Sequence, residues 1–442
     1  MSILLTFIAS LLGILGGKFL FKQWMNHLTL YSAIWGLLIV LYELKLLPYY
    51  DLISLTWFYI ISAFLSFVFG ILTLISLRNL FRTNPIDIKP ARLDLPIFKD
   101  GGVTLKYALL ITSMIGIFAA VQHWLVLINL FGSIPAALIN AALVYKLNLS
   151  GGAKGVIPYI SNFGFVAVFL SGIYTAYKGR FSFITFLPFI GIIIKNMATL
   201  GRVSMLFALM EFFITFLLFR YLLKTDSAKR FKFSAKNAVF AFSILLLFVI
   251  FSASLVRATR VSNEYYKGTS KELKQLEDNF IITPSIYFYL SCDVGVLNQY
   301  LQSNGEKTKF GENSFILFHY VLSNFDVIQR PKDLQKGYRF PMWANTGTYI
   351  RELHADFGIA GVYLVPYFLG FLITLLWFKF FERHGMITLV LLTFLTLIIG
   401  FSFLMMITRL DIWTISLVLL LFIVPVIEKV AVFFGERVQS SN

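Results

Sequence analysis

Apolar runs long enough to cross a lipid bilayer recur along almost the whole chain, and they constrain its fold more than any other feature. A transmembrane helix needs about 20 predominantly apolar residues. Eleven runs of this kind, of which the first and the sixth are short, cover residues 3–17, 28–47, 52–77, 107–126, 156–177, 181–194, 203–223, 238–256, 359–378, 386–408 and 412–427. They predict an all-α polytopic membrane protein with about 11 transmembrane helices, in a range of about 10–12.

The composition argues against a soluble fold. Only 14% of the residues are charged and 58% are hydrophobic, whereas soluble domains carry about 25% charged residues. The net charge of +16 comes from Lys and Arg at the ends of the apolar runs, which indicates membrane topology and argues against a nucleic-acid partner. The single cysteine, Cys292, excludes an intramolecular disulfide and a cysteine-rich metal site.

The positions of Lys and Arg predict which side of the membrane each connection faces, because cytoplasmic loops are enriched in these residues. With the N-terminus outside, the inner segments hold 20 Lys and Arg and the short outer segments hold 5. If residues 134–145 crossed the membrane, the later segments would change sides and the excess of Lys and Arg on the inner side would be lost. This stretch is therefore predicted to be an interfacial or re-entrant helix. The layout that follows has about eight spans over 1–256, basic cytoplasmic loops at 78–106 and 220–236, an extracytoplasmic loop over 257–357, and about three spans over 358–442.

The long outer loop is predicted to contain short amphipathic helices. Residues 284–301 and 315–325 carry apolar side chains at helical spacing. Two interpretations remain open: helices that lie on the edge of the bilayer, or a small domain packed on its own core.

Arginines on the predicted outer side are the first candidates for chemistry. A guanidinium presents a planar fork of N–H donors that matches phosphate oxygens, and it stays charged at any relevant pH. Side chains that only reach towards lipid headgroups are the alternative. The predicted diphosphate-binding residues are Arg202, Arg257, Arg260, Arg351 and Arg409.

The polar segment before the ninth run is the densest in titratable groups. If it is helical, Arg351 and His354 share one face, and Glu352 and Asp356 share another. Glu352, His354 and Asp356 are the candidate general bases, although for Asp356 the favoured interpretation is a structural role at a helix entry turn. The candidate substrate-binding residues in the same segment are Asn345 and Tyr349.

No metal or cofactor is predicted. The five histidines have no metal-ligand spacing, and no glycine-rich phosphate loop or nucleophile elbow is present. Glu211 lies inside an apparent span, where a carboxyl group is a functional candidate by default. It is equally compatible with a protonated, hydrogen-bonded helix contact.

Two local motifs resemble the bacterial oligosaccharide repeat-unit polymerases, the O-antigen polymerase (Wzy) family. One is the Arg202 segment, Gly-Arg-Val-Ser-Met-Leu over 201–206. The other is Asn345-Thr346 followed by Asp-Phe-Gly-Ile-Ala-Gly over 356–361. The related O-antigen ligases place a histidine where this chain has Asn345 and Gly347, which argues against a ligase and leaves the base unassigned.

The resemblance implies a glycosyltransferase of the GT-C type in the bacterial inner membrane, with its active site on the periplasmic side. It would join undecaprenyl-diphosphate-linked donor and acceptor oligosaccharides into O-antigen, capsule or exopolysaccharide by metal-independent inverting transfer. A chain-length regulator and a flippase are further partners that the family implies. Two other functions are alternative hypotheses. One is a transporter or flippase of lipid-linked oligosaccharide, whose best support is Glu211. The other is an acyl-transferring enzyme, for which His123 is the one candidate for an intramembrane catalytic histidine.

Overall fold

The computed structural model describes residues 2–81, 95–140, 143, 144, 147, 157, 159–198, 203–223, 269–278, 284–329, 331, 335–340 and 342–440. Its α-helices are, in chain order, α1 (Ser2–Phe21), α2 (His27–Glu43), α3 (Ser54–Phe81), α4 (Val103–Phe131), α5 (Ile134–Ile139), α6 (Phe163–Lys178), α7 (Phe183–Met197), α8 (Val203–Leu223), α9 (Lys271–Asp278), α10 (Pro284–Gln302), α11 (Ile316–Asn324), α12 (Tyr349–Phe357), α13 (Ile359–Arg383), α14 (Met386–Phe401) and α15 (Asp411–Ser440). Two short strands, β1 (Tyr338–Arg339) and β2 (Trp343–Ala344), pair antiparallel with Tyr338 opposite Ala344.

Seven of the described helices are long and apolar enough to cross a membrane: α1, α3, α4, α6, α8, α13 and α15. The helices α2, α7 and α14 are apolar but shorter. These ten helices coincide with ten of the eleven predicted runs, and the remaining run, 238–256, lies outside the described residues. The chain is thus all-α with several apolar helices, as predicted, whereas the count of eleven spans stays a prediction. Helix α5 has six residues, which is too short for a span.

The chain divides into two compact units that are interleaved in sequence. Unit 1 comprises Met1–Pro85, Asn263–Leu375 and Ile398–Asp411, and unit 2 comprises Ile86–Ser262, Leu376–Leu397 and Ile412–Asn442. The two units are defined by which residues contact one another, whereas the predicted boundaries at 256 and 358 were placed where the hydropathy of the sequence changes. The two divisions therefore describe different properties of the chain.

Small residues let helices of unit 1 approach closely. A Cβ at Gly70 of α3 would overlap the carbonyl oxygen of Tyr367 in α13, and a Cβ at Gly370 would overlap the carbonyl oxygen of Phe67. In lipid, helix association depends on such close packing because water does not drive the helices together. The α3–α13 crossing carries the start of α13, on which the candidate site rests.

Unit 2 is built around α6. Every side chain of α6 from Gly164 to Ala176 is buried. A Cβ at Gly116 of α4 would lie 3.0 Å from the Cα of Gly164, and a Cβ at Gly191 of α7 would lie 3.0 Å from the backbone nitrogen of Ile117. Glycines therefore bring α4, α6 and α7 into backbone contact.

The two predicted amphipathic helices of the loop differ in their surroundings. Helix α10 is packed on the connection between α2 and α3, where Asn298 Oδ1 accepts hydrogen bonds from the backbone N–H of Ile53 at 2.9 Å and from Thr56 at 2.7 Å. Helix α11 buries Ile316 and His319 but leaves Phe318 and the flanking Phe315 and Phe325 exposed. Packing on the protein thus describes most of α10, whereas α11 and its flanking residues present an exposed apolar surface.

Candidate functional site

Helix α12 organises the candidate site, and glycine defines its end. The helix stops at Gly358, whose φ of 63° is in the left-handed region that favours glycine. Helix α13 begins at the next residue, and the absence of a side chain at Gly361 lets its first turn approach the carbonyl oxygen of Leu353. The polar segment and the apolar run after it are therefore two helices, and α12 is fixed at the start of an apolar helix of spanning length.

The first face of α12 carries Arg351, which is only 1% exposed. Its Nη2 donates to the carboxylate of Glu306 and, at 2.7 Å, to the carbonyl oxygen of Lys336. The guanidinium carbon lies 5.0 Å from the ring centre of Tyr338 and 5.6 Å from that of Tyr300. Arg351 is thus held by an acid, a carbonyl and two aromatic rings.

Glu306 is ionised by these neighbours. Burial alone would raise the pKa of its carboxyl, but hydrogen bonds from Tyr338 and Arg351 and the charge of Arg351 outweigh burial and hold the pKa below its ordinary value. The pair of Glu306 and Arg351 is therefore charged on both sides at neutral pH.

His354 lies on the same face and is only half-buried. Its Nδ1 is 2.8 Å from the hydroxyl oxygen of Tyr300, and the ring of Tyr59 packs edge-on at 5.1 Å. Burial and, secondly, the positive charge of Lys307 lower the pKa of His354. At neutral pH the imidazole is therefore neutral and able to accept a proton.

The second face of α12 carries Glu352. Its Oε1 lies 3.2 Å from Nη1 of Arg409, Gln335 donates to the same oxygen, and the backbone N–H of Met406 donates to Oε2. Burial raises the pKa of Glu352 to about 7, although the charge of Arg409 and the hydrogen bonds from Met406 and Arg409 oppose the rise. Glu352 is fully enclosed, so its role in this arrangement is to hold Arg409 and the chain around Met406.

Asp356 fastens the segment before α11 to α12. Its carboxylate accepts hydrogen bonds from Thr308 and from the backbone N–H and side chain of both Asn313 and Ser314, at 2.6–3.1 Å. Asn313 also accepts a hydrogen bond of 2.9 Å from Arg409. Because residues 349–357 are helical, Glu352 and Asp356 share one face, as their spacing predicted, and the contacts of Asp356 are those of a structural anchor.

The remaining predicted site residues are placed differently. The side chain of Tyr349 is completely buried and its hydroxyl lies 2.8 Å from that of Tyr31, so a substrate does not reach it in this arrangement. Asn345 is half-buried between β2 and α12. Arg202, Arg257 and Arg260 lie outside the described residues. Of the five predicted arginines, the two described ones are both buried and paired with glutamates.

Sequence reasoning missed the partners of α12. Glu306, Asn313 and Tyr300 lie 45, 43 and 54 residues from the α12 residues that they contact, and no local pattern connects them. It also missed Asp293 in α10, where burial raises the pKa to about 8 although hydrogen bonds from Thr346 and Cys292 oppose it. An acid among the apolar positions of a predicted helix was the available signal for Asp293.

Within the part of the chain that the structure describes, no three His, Cys, Asp or Glu side chains come together in a group that could hold a metal ion. Comparison with protein-family models, curated proteins and solved structures found no match for this chain.

Proposed function

We propose that the chain is a membrane glycosyltransferase that polymerises polyprenyl-diphosphate-linked oligosaccharide units, with its reaction at the α12 site (Tyr300, Glu306, Arg351, Glu352, His354 and Arg409). The observation that supports this most is the neutral, half-buried imidazole of His354, whose partner Tyr300 also packs on the buried Arg351, just before an apolar helix of spanning length. A base and fixed positive charge at a membrane surface suit a substrate whose diphosphate is tethered there by a lipid.

His354 is the general base in this proposal. In the tautomer with the proton on Nδ1, His354 donates to Tyr300, and Tyr300 donates on to the carbonyl oxygen of Glu306 at 3.3 Å. This leaves a lone pair on Nε2. Nε2 takes the proton of the acceptor hydroxyl as the sugar oxygen bonds to the anomeric carbon and the bond from that carbon to the diphosphate breaks.

Positive charge stabilises the departing diphosphate. Arg351 and Arg409 are paired with Glu306 and Glu352, so they hold the site in shape. Lys307 is exposed and acts electrostatically on His354, which makes it the described cation best placed to meet a phosphate. Arg202, Arg257 and Arg260 remain the proposed further contacts to the diphosphate.

The test is a reaction with purified protein in lipid vesicles of the inner-membrane type. Lipid-linked repeat units are added without nucleotide, and the glycans are separated on a gel. A ladder of longer glycans supports polymerisation, and His354→Gln should abolish it. His384→Asn, a half-buried histidine in the turn before α14, serves as the matched control and should leave the ladder unchanged. Transfer only to an acceptor without a polyprenyl carrier would instead identify a ligase.

Glu211 favours one second candidate, a transporter of lipid-linked oligosaccharide. Its side chain lies in α8, is 4% exposed, and its Oε2 has no hydrogen-bond partner among the described residues. A buried carboxyl in a span marks ion or substrate pathways in many transporters. Movement of intact units across vesicles that Glu211→Gln abolishes, with no ladder, would support this second candidate.

A further inference from the structure

Residues 310–327 expose six large apolar side chains within a short stretch. Phe310, Phe315, Phe318, Val321, Phe325 and Val327 are each between 52% and 79% exposed. Single exposed apolar residues are ordinary, whereas a contiguous group of this size marks a surface that is covered by something else.

This interface segment, residues 310–327, is firmly attached to the protein. On its inner side Ile316 is 3% exposed, and His319 Nε2 lies 3.0 Å from the carbonyl oxygen of Phe310. The Asp356 carboxylate accepts the backbone N–H groups of Asn313 and Ser314 at its start. The exposed phenylalanines are therefore held outward by a fixed backbone.

The apolar surface of the segment continues into that of an apolar helix of spanning length. The ring of Phe357, the last residue of α12, lies 4.8 Å from that of Phe310 and 6.4 Å from that of Phe315. Two residues later α13 begins, and its Ile359, Leu364 and Phe368 are 50%, 55% and 54% exposed. Because lipid covers the outward face of a transmembrane helix, lipid is also the occupant that fits the adjoining aromatic surface.

We infer that the interface segment is a membrane anchor, whose aromatic side chains lie in the headgroup and acyl boundary of the leaflet next to the α12 site. Lys307 and Lys309, both exposed just before the segment, supply charge for anionic headgroups. This inference does not depend on the proposed polymerase activity, because it concerns only where the surface of unit 1 meets lipid.

Site-directed spin labelling tests the inference on the full-length protein in phosphatidylethanolamine–phosphatidylglycerol vesicles. Phe318→Cys and Phe325→Cys carry the label, and Gln302→Cys, an exposed polar position at the end of α10, is the matched control. Cys292 is 1% exposed. Each variant is prepared both with Cys292 and with Cys292→Ala, so that labelling of Cys292 in the first case, or misfolding caused by its removal in the second, is recognised.

Labels at 318 and 325 are expected to collide several-fold more with oxygen than with a water-soluble nickel complex, at a depth of about 5–10 Å, whereas the control label shows the reverse preference. Equal access of nickel to all three positions would overturn the anchor. Dipolar broadening at 318 that disappears on dilution with unlabelled protein would also overturn it, because a second copy would then cover the segment.

Discussion

Nη1 of Arg409 lies 3.2 Å from Oε1 of Glu352, and the two side chains are 8% and 0% exposed. A buried ion pair contributes little net stability, but removal of one partner leaves the other uncompensated. Burial brings the pKa of Glu352 to about 7, so the charge state of this pair changes close to neutral pH.

Removal of Arg409 should therefore destabilise the protein in a pH-dependent way. Arg409→Met is expected to lower the free energy of unfolding by about 3–5 kcal/mol at pH 8. The loss should be smaller at pH 6. A carboxyl whose folded-state pKa is raised favours folding below its ordinary pKa, and this contribution is lost as the pH rises through the folded-state value. Without Arg409 the pKa of Glu352 rises further. The variant therefore loses more stability relative to the unchanged protein at pH 8 than at pH 6.

Unfolding titrations in mixed detergent at both pH values measure this effect. Arg383→Met, which removes an exposed arginine at the end of α13, is the matched control and should change stability little. An equal loss at pH 6 and pH 8 would show that Glu352 does not titrate with the pair.

Asp356 should behave as a structural residue. Asp356→Ala leaves several donors of residues 308–314 without an acceptor, and is expected to lower the free energy of unfolding by about 2–4 kcal/mol. Hydrogen exchange should increase at the amides of Asn313 and Ser314. Asp278→Ala, an exposed acid at the end of α9, provides the comparison. Unchanged exchange at 313 and 314, together with lost turnover, would instead assign Asp356 to the chemistry.

The pH dependence of polymer synthesis should follow His354. Turnover by a neutral imidazole base rises with pH through its pKa, which burial and Lys307 lower. Lys307→Gln removes the positive charge, so the pKa of His354 rises and the acid limb of the profile should move to higher pH. Lys309→Gln, two residues away and also exposed, should leave the limb in place. A limb that Lys307→Gln does not move contradicts the assignment of the base.

Lysine should not replace Arg351. Arg351 binds Glu306 and the carbonyl oxygen of Lys336 while its plane packs near Tyr300 and Tyr338, and an ammonium group lacks this flat fork. Arg351→Lys is expected to cost about 2–4 kcal/mol of stability. Arg339→Lys, at an exposed strand position, should cost little. A double-mutant cycle with Glu306→Gln measures the coupling, and additive effects of the two changes would mean that the pair is not energetically linked.

Two glycines should respond to alanine in opposite directions. At Gly70 a methyl group would collide with the backbone of Tyr367 and Phe371, and Gly70→Ala is expected to destabilise by about 1–3 kcal/mol. Gly16 in α1 has nothing within 4 Å of its Cβ position, and Gly16→Ala should stabilise by about 0.5–1 kcal/mol because alanine favours the helix. Similar effects at both positions would argue against the α3–α13 contact.

Hydropathy was sufficient to predict the apolar helices, because each run by itself must be apolar enough and long enough to cross the hydrocarbon of the bilayer. Helical spacing likewise predicted that Arg351 and His354 would share one face of α12. Neither property reports partners distant in the chain, so the glutamates beside Arg351 and Arg409 were not predicted. Gly358 is not needed for close packing, because no described atom lies within 4 Å of its Cβ position. It is the positive φ, which depends on the path of the backbone into α13, that requires glycine there.

Helix α12 is held from both directions along the chain. Tyr349 is bonded to Tyr31, 318 residues earlier, and Glu352 to Arg409, 57 residues later. During synthesis, the residues of α12 leave the ribosome well before Arg409 does. The contact between Glu352 and Arg409 therefore forms only after α13 and α14, which lie between these two residues in the chain, have been synthesised.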